Sequence, residues 1–544
     1  MKRCLLAIIA LGTLISAQEI GARYLIITHD NFYDAIKPLA QWKHRKGMRT
    51  KVVKLSQIGS STAQIHDYVE NAYDNWQIPP EFLLLVGAPN YIPFYYYGGG
   101  WNSYYSDNYY TNMDSDVYNE ILSGRLTVHS VDEAQTVVNK ILLYEMTPDI
   151  SDSLWFTNAC LIVREDYDSD DTIYWNDINH AKNLMRSHGY DVIDTLSRSA
   201  GDNAYDVVEA VNEGRAFVLY RGSGTNNWGS PFGVYPDQTQ NGTKLPIVLS
   251  ITCRTIGTST TPATAEKWLL TGTPSLPRGG AGYFATTTTI MNGAYLRSAT
   301  CRGFFNALFQ QGKRTFGEAC EGGRMNVYTL YGSTSEYRGF TTLGDPEMNI
   351  WTAIPEPLEV SHDPALSLDD DSLRVRIHFD DAPLESALVC VVLDTLVYQH
   401  GYTTSNGDII FYFDTLDIGM MDITVTARNK IPYLDSIPII MTGVEKEMNL
   451  SASGLQNFAV YPNPFSGVTD IRYVMSDKCR GVELKIYDAM GRVVRSFHVG
   501  PGAPGGSISW HGDDDAGRKL PGGVYFIHTS TTDERRSIAV VLFE

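Results

Sequence analysis

Phe217-Val218-Leu219-Tyr220-Arg221-Gly222-Ser223-Gly224 and Pro246-Ile247-Val248-Leu249-Ser250-Ile251-Thr252-Cys253-Arg254 are the two stretches that decide the fold. Each is a short apolar, β-rich run that stops at small or reactive residues. That is the pattern of a strand buried on both faces of a parallel sheet. In open α/β sheets the carboxyl ends of strands collect ligands and chemistry. The expected working edge is therefore the gap between Gly222-Ser223-Gly224 and Cys253.

The flanking sequence supports such a sheet. From Arg23 to Tyr144 strand and helix patterns alternate: Tyr24 to Thr28 and Phe82 to Val86 are apolar runs, and Ile65 to Trp76 has helical spacing. A second alternating unit runs from Leu154 to Trp351, with strands at Ala159 to Val163, Val192 to Thr195 and Gly282 to Thr286 and helices at His180 to His188, Phe304 to Gln311 and Glu318 to Leu330. Alternation of this kind predicts a parallel sheet covered by helices. Ala353-Ile354-Pro355-Glu356-Pro357 then reads as a linker. Residues 358–443 carry short alternating strands separated by turns such as Asn406-Gly407-Asp408, the pattern of an immunoglobulin-like β-sandwich. A second linker, Glu445 to Gln456, leads to a last domain at residues 457–544.

Composition narrows the function classes. The chain has 544 residues, enough for several cores, and a net charge of −19, which argues against a nucleic-acid partner. Lys2 and Arg3 precede an apolar run from Leu5 to Ile15, so residues 1–17 read as a signal peptide, and no other stretch suits a transmembrane anchor. Beyond the leader the cysteines are few and widely spaced, which excludes a disulfide-dense scaffold, and no zinc-type pairing occurs. Asp166, Asp168, Asp170 and Asp171 offer oxygen ligands for a structural calcium, but the glycine and closing glutamate of an EF-hand loop are absent, which leaves a solvated loop as the simpler reading. No cofactor is expected.

The segments Leu83-Leu84-Leu85-Val86-Gly87, Ser106-Asp107-Asn108-Tyr109-Tyr110, Ser123-Gly124-Arg125-Leu126, Lys140-Ile141-Leu142-Leu143-Tyr144-Glu145, Tyr220-Arg221-Gly222-Ser223-Gly224 with Trp228, and Gly344-Asp345-Pro346 follow one another in an order and spacing that resemble the gingipain family of cysteine peptidases. The resemblance covers Arg23 to Trp351. It implies a caspase-like α/β catalytic unit of two half-sheets, residues 23–150 and 151–352, followed by immunoglobulin-like sandwiches. Tyr461-Pro462-Asn463-Pro464-Phe465, Ile486-Tyr487-Asp488 and Pro521-Gly522-Gly523-Val524-Tyr525-Phe526 resemble both the C-terminal sorting domain of type IX secretion and the hook-cap immunoglobulin-like module. The first of these implies the type IX machinery as a partner and a secreted or outer-surface location in a double-membraned bacterium.

The resemblance also assigns roles. Cys253 falls at the nucleophile, Gly224 and Cys253 at the oxyanion backbone donors, and Ser223 where the family has its general-base histidine. Asp107 falls where arginine-cleaving members place the acid that receives a basic side chain, and Trp228 falls beside the same cleft. A hydroxyl does not titrate near pH 7, so it neither raises the thiolate fraction nor protonates a leaving amine. Arg221 is an expected electrostatic aid to the thiol. His29 and His180 are the candidate substitute bases, and Glu266 reads as structural. Two functions follow: a secreted cysteine endopeptidase acting on protein or peptide substrates with an impaired base, or an inactive pseudopeptidase that binds. The aromatic run Phe94 to Tyr110, which includes Trp101, lines a cleft or covers a sheet edge.

Overall fold

The structure is a computed structural model that describes residues 18–543, except 99–102, 115, 259–260, 291–292, 441–454, 462, 464, 476–481, 489–491, 501–504 and 531–534. The expected signal peptide, Trp101 and Cys479 lie outside the described residues. Among the described residues no helix is long and apolar enough to cross a membrane. The chain divides into two compact units. One holds most of the residues up to Ile437, and the other holds Pro438–Glu544 with the short pieces Ser367–Asp369 and Asp417–Gly419.

The first unit is built on one ten-stranded sheet. In chain order its strands are β1 (Tyr24–Thr28), β2 (Thr50–Lys54), β3 (Phe82–Val86), β4 (Leu122–Leu126), β5 (Ala159–Val163), β6 (Ile193–Ser197), β7 (Phe217–Arg221), β8 (Ile247–Ile251), β9 (Gly282–Thr286) and β10 (Phe340–Leu343). Across the sheet the order is β2-β1-β3-β4-β10-β9-β8-β7-β5-β6. Neighbours are parallel, except that β10 runs antiparallel to β9. The two half-sheets therefore meet in one surface, with the last strand to appear in sequence forming the seam. Every residue of β1, β3, β5, β7, β8 and β9 is buried, which is why these strands read as unbroken apolar runs.

Helices cover both faces: α1 (Tyr33–Arg45), α2 (Thr62–Asn75), α3 (Val131–Glu145), α4 (Asp171–Ser187), α5 (Ala204–Glu213), α6 (Ala294–Phe309), α7 (Phe316–Tyr331) and α8 (Thr334–Gly339). Their starts are written in the sequence. Ser61 with Gln64 and Thr315 with Glu318 form capping boxes, which satisfy amide groups that the first turn leaves unpaired. Helix α6 begins ten residues before the expected Phe304, at Ala294. Almost all of its side chains are buried, including Arg297, Ser298 and Thr300, so it shows no apolar stripe by which periodicity would reveal it.

The seam is held by buried charges. Lys43 on α1 lies 2.6 Å from Glu145, 2.5 Å from Asp345 and 2.8 Å from Glu347, and the Tyr24 hydroxyl donates to Asp345 at 2.7 Å. Lys46 pairs with Glu145 and Glu347 at 2.5 and 2.6 Å. The Gly344-Asp345-Pro346 motif thus has a structural task. A Cβ on Gly124 would lie 2.3 Å from the Gly344 carbonyl oxygen, so Gly124 lets the segment after β10 pass close to β4.

Beyond the sheet, Ser372–Phe379 pairs with Asp408–Tyr412 and Leu388–Leu393 pairs with Val397–Tyr402, in two antiparallel sheets. This sandwich is fixed to α1 by the Tyr398 hydroxyl, which donates to the His44 carbonyl at 3.2 Å. The second unit is a separate two-sheet sandwich. Leu455–Tyr461, Thr469–Met475 and Gly505–Trp510 form one sheet, and Phe465–Ser466, Val482–Tyr487, Val493–Val499, Gly523–Ser530 and Arg535–Phe543 form the other. Its core gathers Trp510, Ile471, Leu484, Ile486 and Ile527.

Candidate active site

Strands β5, β7, β8 and β9 are consecutive and parallel, so their carboxyl ends open on one edge. Ile251 pairs with Arg221, which makes Ser223 and Cys253 leave the sheet from neighbouring strands, each two residues past the last pair. The two loops are tied together. Asn226 donates its N–H to the Arg254 carbonyl at 2.9 Å, and the Thr252 hydroxyl donates to the Gly224 carbonyl at 3.3 Å. Arg254 adopts φ +30°, an unusual value for a non-glycine residue, immediately after the cysteine.

Cys253 is partly exposed, whereas Cys160, Cys301, Cys320 and Cys390 are buried. Burial pushes the Cys320 and Cys390 thiols up to about 12 and those of Cys160 and Cys301 higher still, so all four are inert near neutral pH. The Cys253 sulfur accepts a hydrogen bond from Arg297 Nη1 at 3.0 Å. Arg297 is 6% exposed and held from behind: Nη2 is 3.4 Å from Thr288 Oγ1, and Nε is 3.5 Å from Glu336 Oε2. Thr288 in turn donates to Glu336 Oε1 at 2.5 Å and accepts the Arg254 N–H on its carbonyl at 3.0 Å. The loop after β8, the segment after β9, α6 and α8 are therefore linked through the one guanidinium that meets the sulfur.

Ser223 is exposed and occupies a different charge pair. Arg164 Nη1 donates to its hydroxyl at 2.7 Å, and that hydroxyl donates to Asp166 Oδ1 at 2.8 Å. Arg164 and Asp166 are also ion-paired directly. Gly222 has φ +149°, and a Cβ there would meet the Arg164 carbonyl oxygen at 2.7 Å, so glycine is needed for the turn that presents Ser223.

Several expected residues are placed differently. Arg221 does not face the thiol. It is buried, with Nε 2.9 Å from Asp177 and its Nη atoms on the Ile251 and Ala294 carbonyls at 2.8 and 3.1 Å, so the guanidinium that meets Cys253 is Arg297 instead. Asp107 is 5% exposed and already bound in a fork by Arg125, with Nε to Oδ2 at 2.9 Å and Nη2 to Oδ1 at 2.5 Å. Its charge is spent inside the fold, and a substrate cation would have to displace Arg125. Trp228 is buried, stacked on Tyr220 at 4.9 Å, and donates from Nε1 to Ser250 Oγ at 2.9 Å; it braces the two strands from beneath. Neither imidazole candidate is free at the thiol. His29 packs against Tyr91 and Phe32, and His180 Nε2 bonds Asn306 at 2.7 Å.

The acidic loop folds on itself: Asp171 accepts the Asp166 and Tyr167 N–H groups, and Asp168 accepts that of Asp170. The Asp166 carboxylate is ion-paired with Arg164. Glu266 is buried and accepts from Gly257 N at 2.6 Å and Ala263 N at 3.1 Å, which fastens the loop after Cys253; burial pushes its carboxyl up to about 7. The aromatic run forms a hairpin, Tyr95–Tyr97 against Tyr104–Ser106, anchored where Tyr105 N meets Thr287 Oγ1 at 3.2 Å. It therefore borders the same edge, one residue from Thr288.

Sequence reasoning missed Arg297, Glu336, Arg164 and the Thr288 bridge. Arg297 shares its helix with Ser298, Thr300 and Arg302, so no apolar background set it apart in the sequence.

Comparison with known proteins places this edge in a lineage. Residues 465–534 match the FlgD Ig-like domain. Gingipain R1 of Porphyromonas gingivalis is 26% identical over 405 residues, 71% of this chain and 40% of the relative. Gingipain R2 of Porphyromonas gingivalis is 24% identical over 474 residues, 82% of this chain and 62% of the relative. This chain thus spans less than two thirds of either. The crystal structure of the Arg-specific cysteine proteinase gingipain R superposes with a TM-score of 0.69 at 22% identity, covering 78% of this chain and 99% of that one. The profile of Peptidase family C25 matches residues 17–351, the whole of the ten-stranded sheet and its helices, and the chain belongs to this family, that of the gingipains.

Proposed function

We propose that the protein is a gingipain-family cysteine hydrolase with Cys253 as nucleophile, whose turnover of peptide bonds is impaired because Ser223 stands where the general-base histidine belongs. The observation that carries this reading is the division of the edge. The thiol of partly exposed Cys253 is hydrogen-bonded to a guanidinium, while the position that should exchange protons holds a hydroxyl locked between Arg164 and Asp166. The backbone N–H groups of Cys253 and Gly224 would hold the oxyanion. Acylation of a thiolate needs no base, but expulsion of an amine needs a proton that neither arginine gives up. Loss of such an acid–base group costs about 10²- to 10⁴-fold.

The second reading, a pseudopeptidase that binds peptides without cleaving them, is favoured by the same Ser223 ion-pair clamp. In either case the partner is a protein or peptide. Export as a secreted or surface protein, with residues 457–544 as a type IX sorting signal, is part of this proposal and is supported by the leader pattern and by the immunoglobulin-like match.

The test is labelling by an electrophilic arginyl or lysyl ketone, run beside cleavage of a peptide library. The expected result is covalent labelling at Cys253 with slow or no cleavage. Brisk cleavage that depends on Cys253 would show the base to be intact, and labelling no greater than that of Cys253→Ala would end the hydrolase reading.

A further inference from the structure

We infer that Arg297 is a catalytic residue that holds the Cys253 sulfur as a thiolate, and that the site therefore accepts acyl groups from esters and thioesters rather than from amides. The inference rests on the reading of Cys253 as the nucleophile.

Three observations carry it. First, the donor is aimed. Arg297 Nη1 is 3.0 Å from Sγ, and a charge-assisted donor at that distance favours the anion over the thiol. Second, the guanidinium cannot turn away. Its Nε edge faces buried Glu336, its other terminal nitrogen faces Thr288, and its backbone N–H is bonded to Gly293 O at 3.0 Å within α6. Third, the arrangement delivers charge without a transferable proton. The ionisable groups that act most strongly on this guanidinium are Glu336 from α8, Cys253 itself and Tyr174 from α4, and Arg254 follows the cysteine in the chain. None is an imidazole.

The chemistry follows from that inventory. The thiolate attacks an acyl carbon, an S–C bond forms, and the C–O or C–S bond to the leaving group breaks. An alkoxide of low basicity or a thiolate departs with the electron pair and takes its proton from water. The hydroxide left by that proton transfer then attacks the acyl-enzyme, the S–C bond breaks, and the acid and the thiolate are returned. An amine cannot leave as its anion, so the amide pathway stalls at the tetrahedral stage.

The first experiment is alkylation of the native full-length protein by iodoacetamide from pH 6 to 9.5, with Cys253 followed by peptide mass mapping so that Cys479 does not contribute. An ordinary thiol gains about tenfold in rate per pH unit below about 8.5. Wild-type Cys253 is expected to keep most of its rate down to pH 6.5. Arg297→Gln should lose about tenfold at pH 7 and recover at pH 9.5, and Arg297→Lys, which keeps the charge but not the fork, should lose less than Arg297→Gln. An ordinary thiol profile in the wild type overturns the inference even if Arg297→Gln fails to fold. A folded Arg297→Gln with an unchanged profile overturns the role of Arg297 while leaving Cys253 as nucleophile. The second experiment compares the p-nitrophenyl ester and the p-nitroanilide of the same acyl-lysine. A Cys253-dependent nitrophenolate burst with no nitroaniline release supports the inference, and equal release of both overturns it. Inertness of Cys253 to every reagent sinks the nucleophile reading as well.

Discussion

A hydroxyl at residue 223 and an imidazole differ in one property that matters at this edge: the imidazole exchanges a proton near pH 7. The site keeps what such a ring would use. Asp166 Oδ1 is within 2.8 Å of the Ser223 hydroxyl and would orient a ring placed there. Ser223→His is expected to raise Cys253-dependent peptide hydrolysis by about 10²-fold or more, with Ser223→His/Cys253→Ala showing none. The readout is release from a fluorogenic peptide. Glu266 supplies a second prediction at this scale. Its folded-state pKa, about 7, lies above its ordinary value of 4.5 because of burial. Stability from this group is therefore fully present below about pH 4.5 and is lost as pH rises through about 7, an effect on the order of 3 kcal/mol. Wild-type Tm should fall between pH 5 and pH 8 by more than that of Glu266→Gln. Equal slopes would remove Glu266 from the account. At this scale the sequence showed Cys253 and Ser223, because strand ends are local features. It did not show Arg297, which lies 44 residues beyond Cys253 and reaches it only because α6 packs beneath the edge.

The elements divide into those that advertise themselves and those that do not. β1, β3, β7 and β8 were legible because a strand covered on both faces must be apolar throughout. The first turn of α6 was not, because a helix buried all round has no polar face to set its period. β10 carries the opposite lesson. It is the last strand of the sheet in sequence yet sits between β4 and β9, and its place is fixed by Leu343 pairing with Arg125 and by the charges behind it. Lys43 gathers Glu145, Asp345 and Glu347 with no solvent contact at all. Removing this cation leaves buried Asp345 without a positive partner and leaves Lys46 alone against Glu145 and Glu347. Lys43→Met is thus expected to cost about 3–5 kcal/mol, measured as a lower midpoint in urea unfolding. A change below 1 kcal/mol would mean that the seam does not depend on this ion cluster.

The whole molecule is two units, and each has its own core. Trp510 is fully buried in the second, against Phe465 and Tyr525 at 5.2 and 5.5 Å. Trp510→Ala should destabilise that unit by about 3–5 kcal/mol. Calorimetry should show one transition lowered, while labelling of Cys253 stays at the wild-type rate. A loss of labelling would couple the C-terminal module to the working edge. The sequence by itself determined the alternation that builds the parallel sheet and the cysteine and serine at its rim. These follow from residue type and short-range period, which any stretch of chain carries within itself. Only the tertiary structure decided that Arg297 and not Arg221 meets the sulfur, that Asp107 is consumed by Arg125, and that Arg164 and Asp166 close on Ser223. Each of those is a choice of partner for a buried or half-buried charge. Such choices depend on which side chains folding brings within about 3 Å, however far apart they lie along the chain.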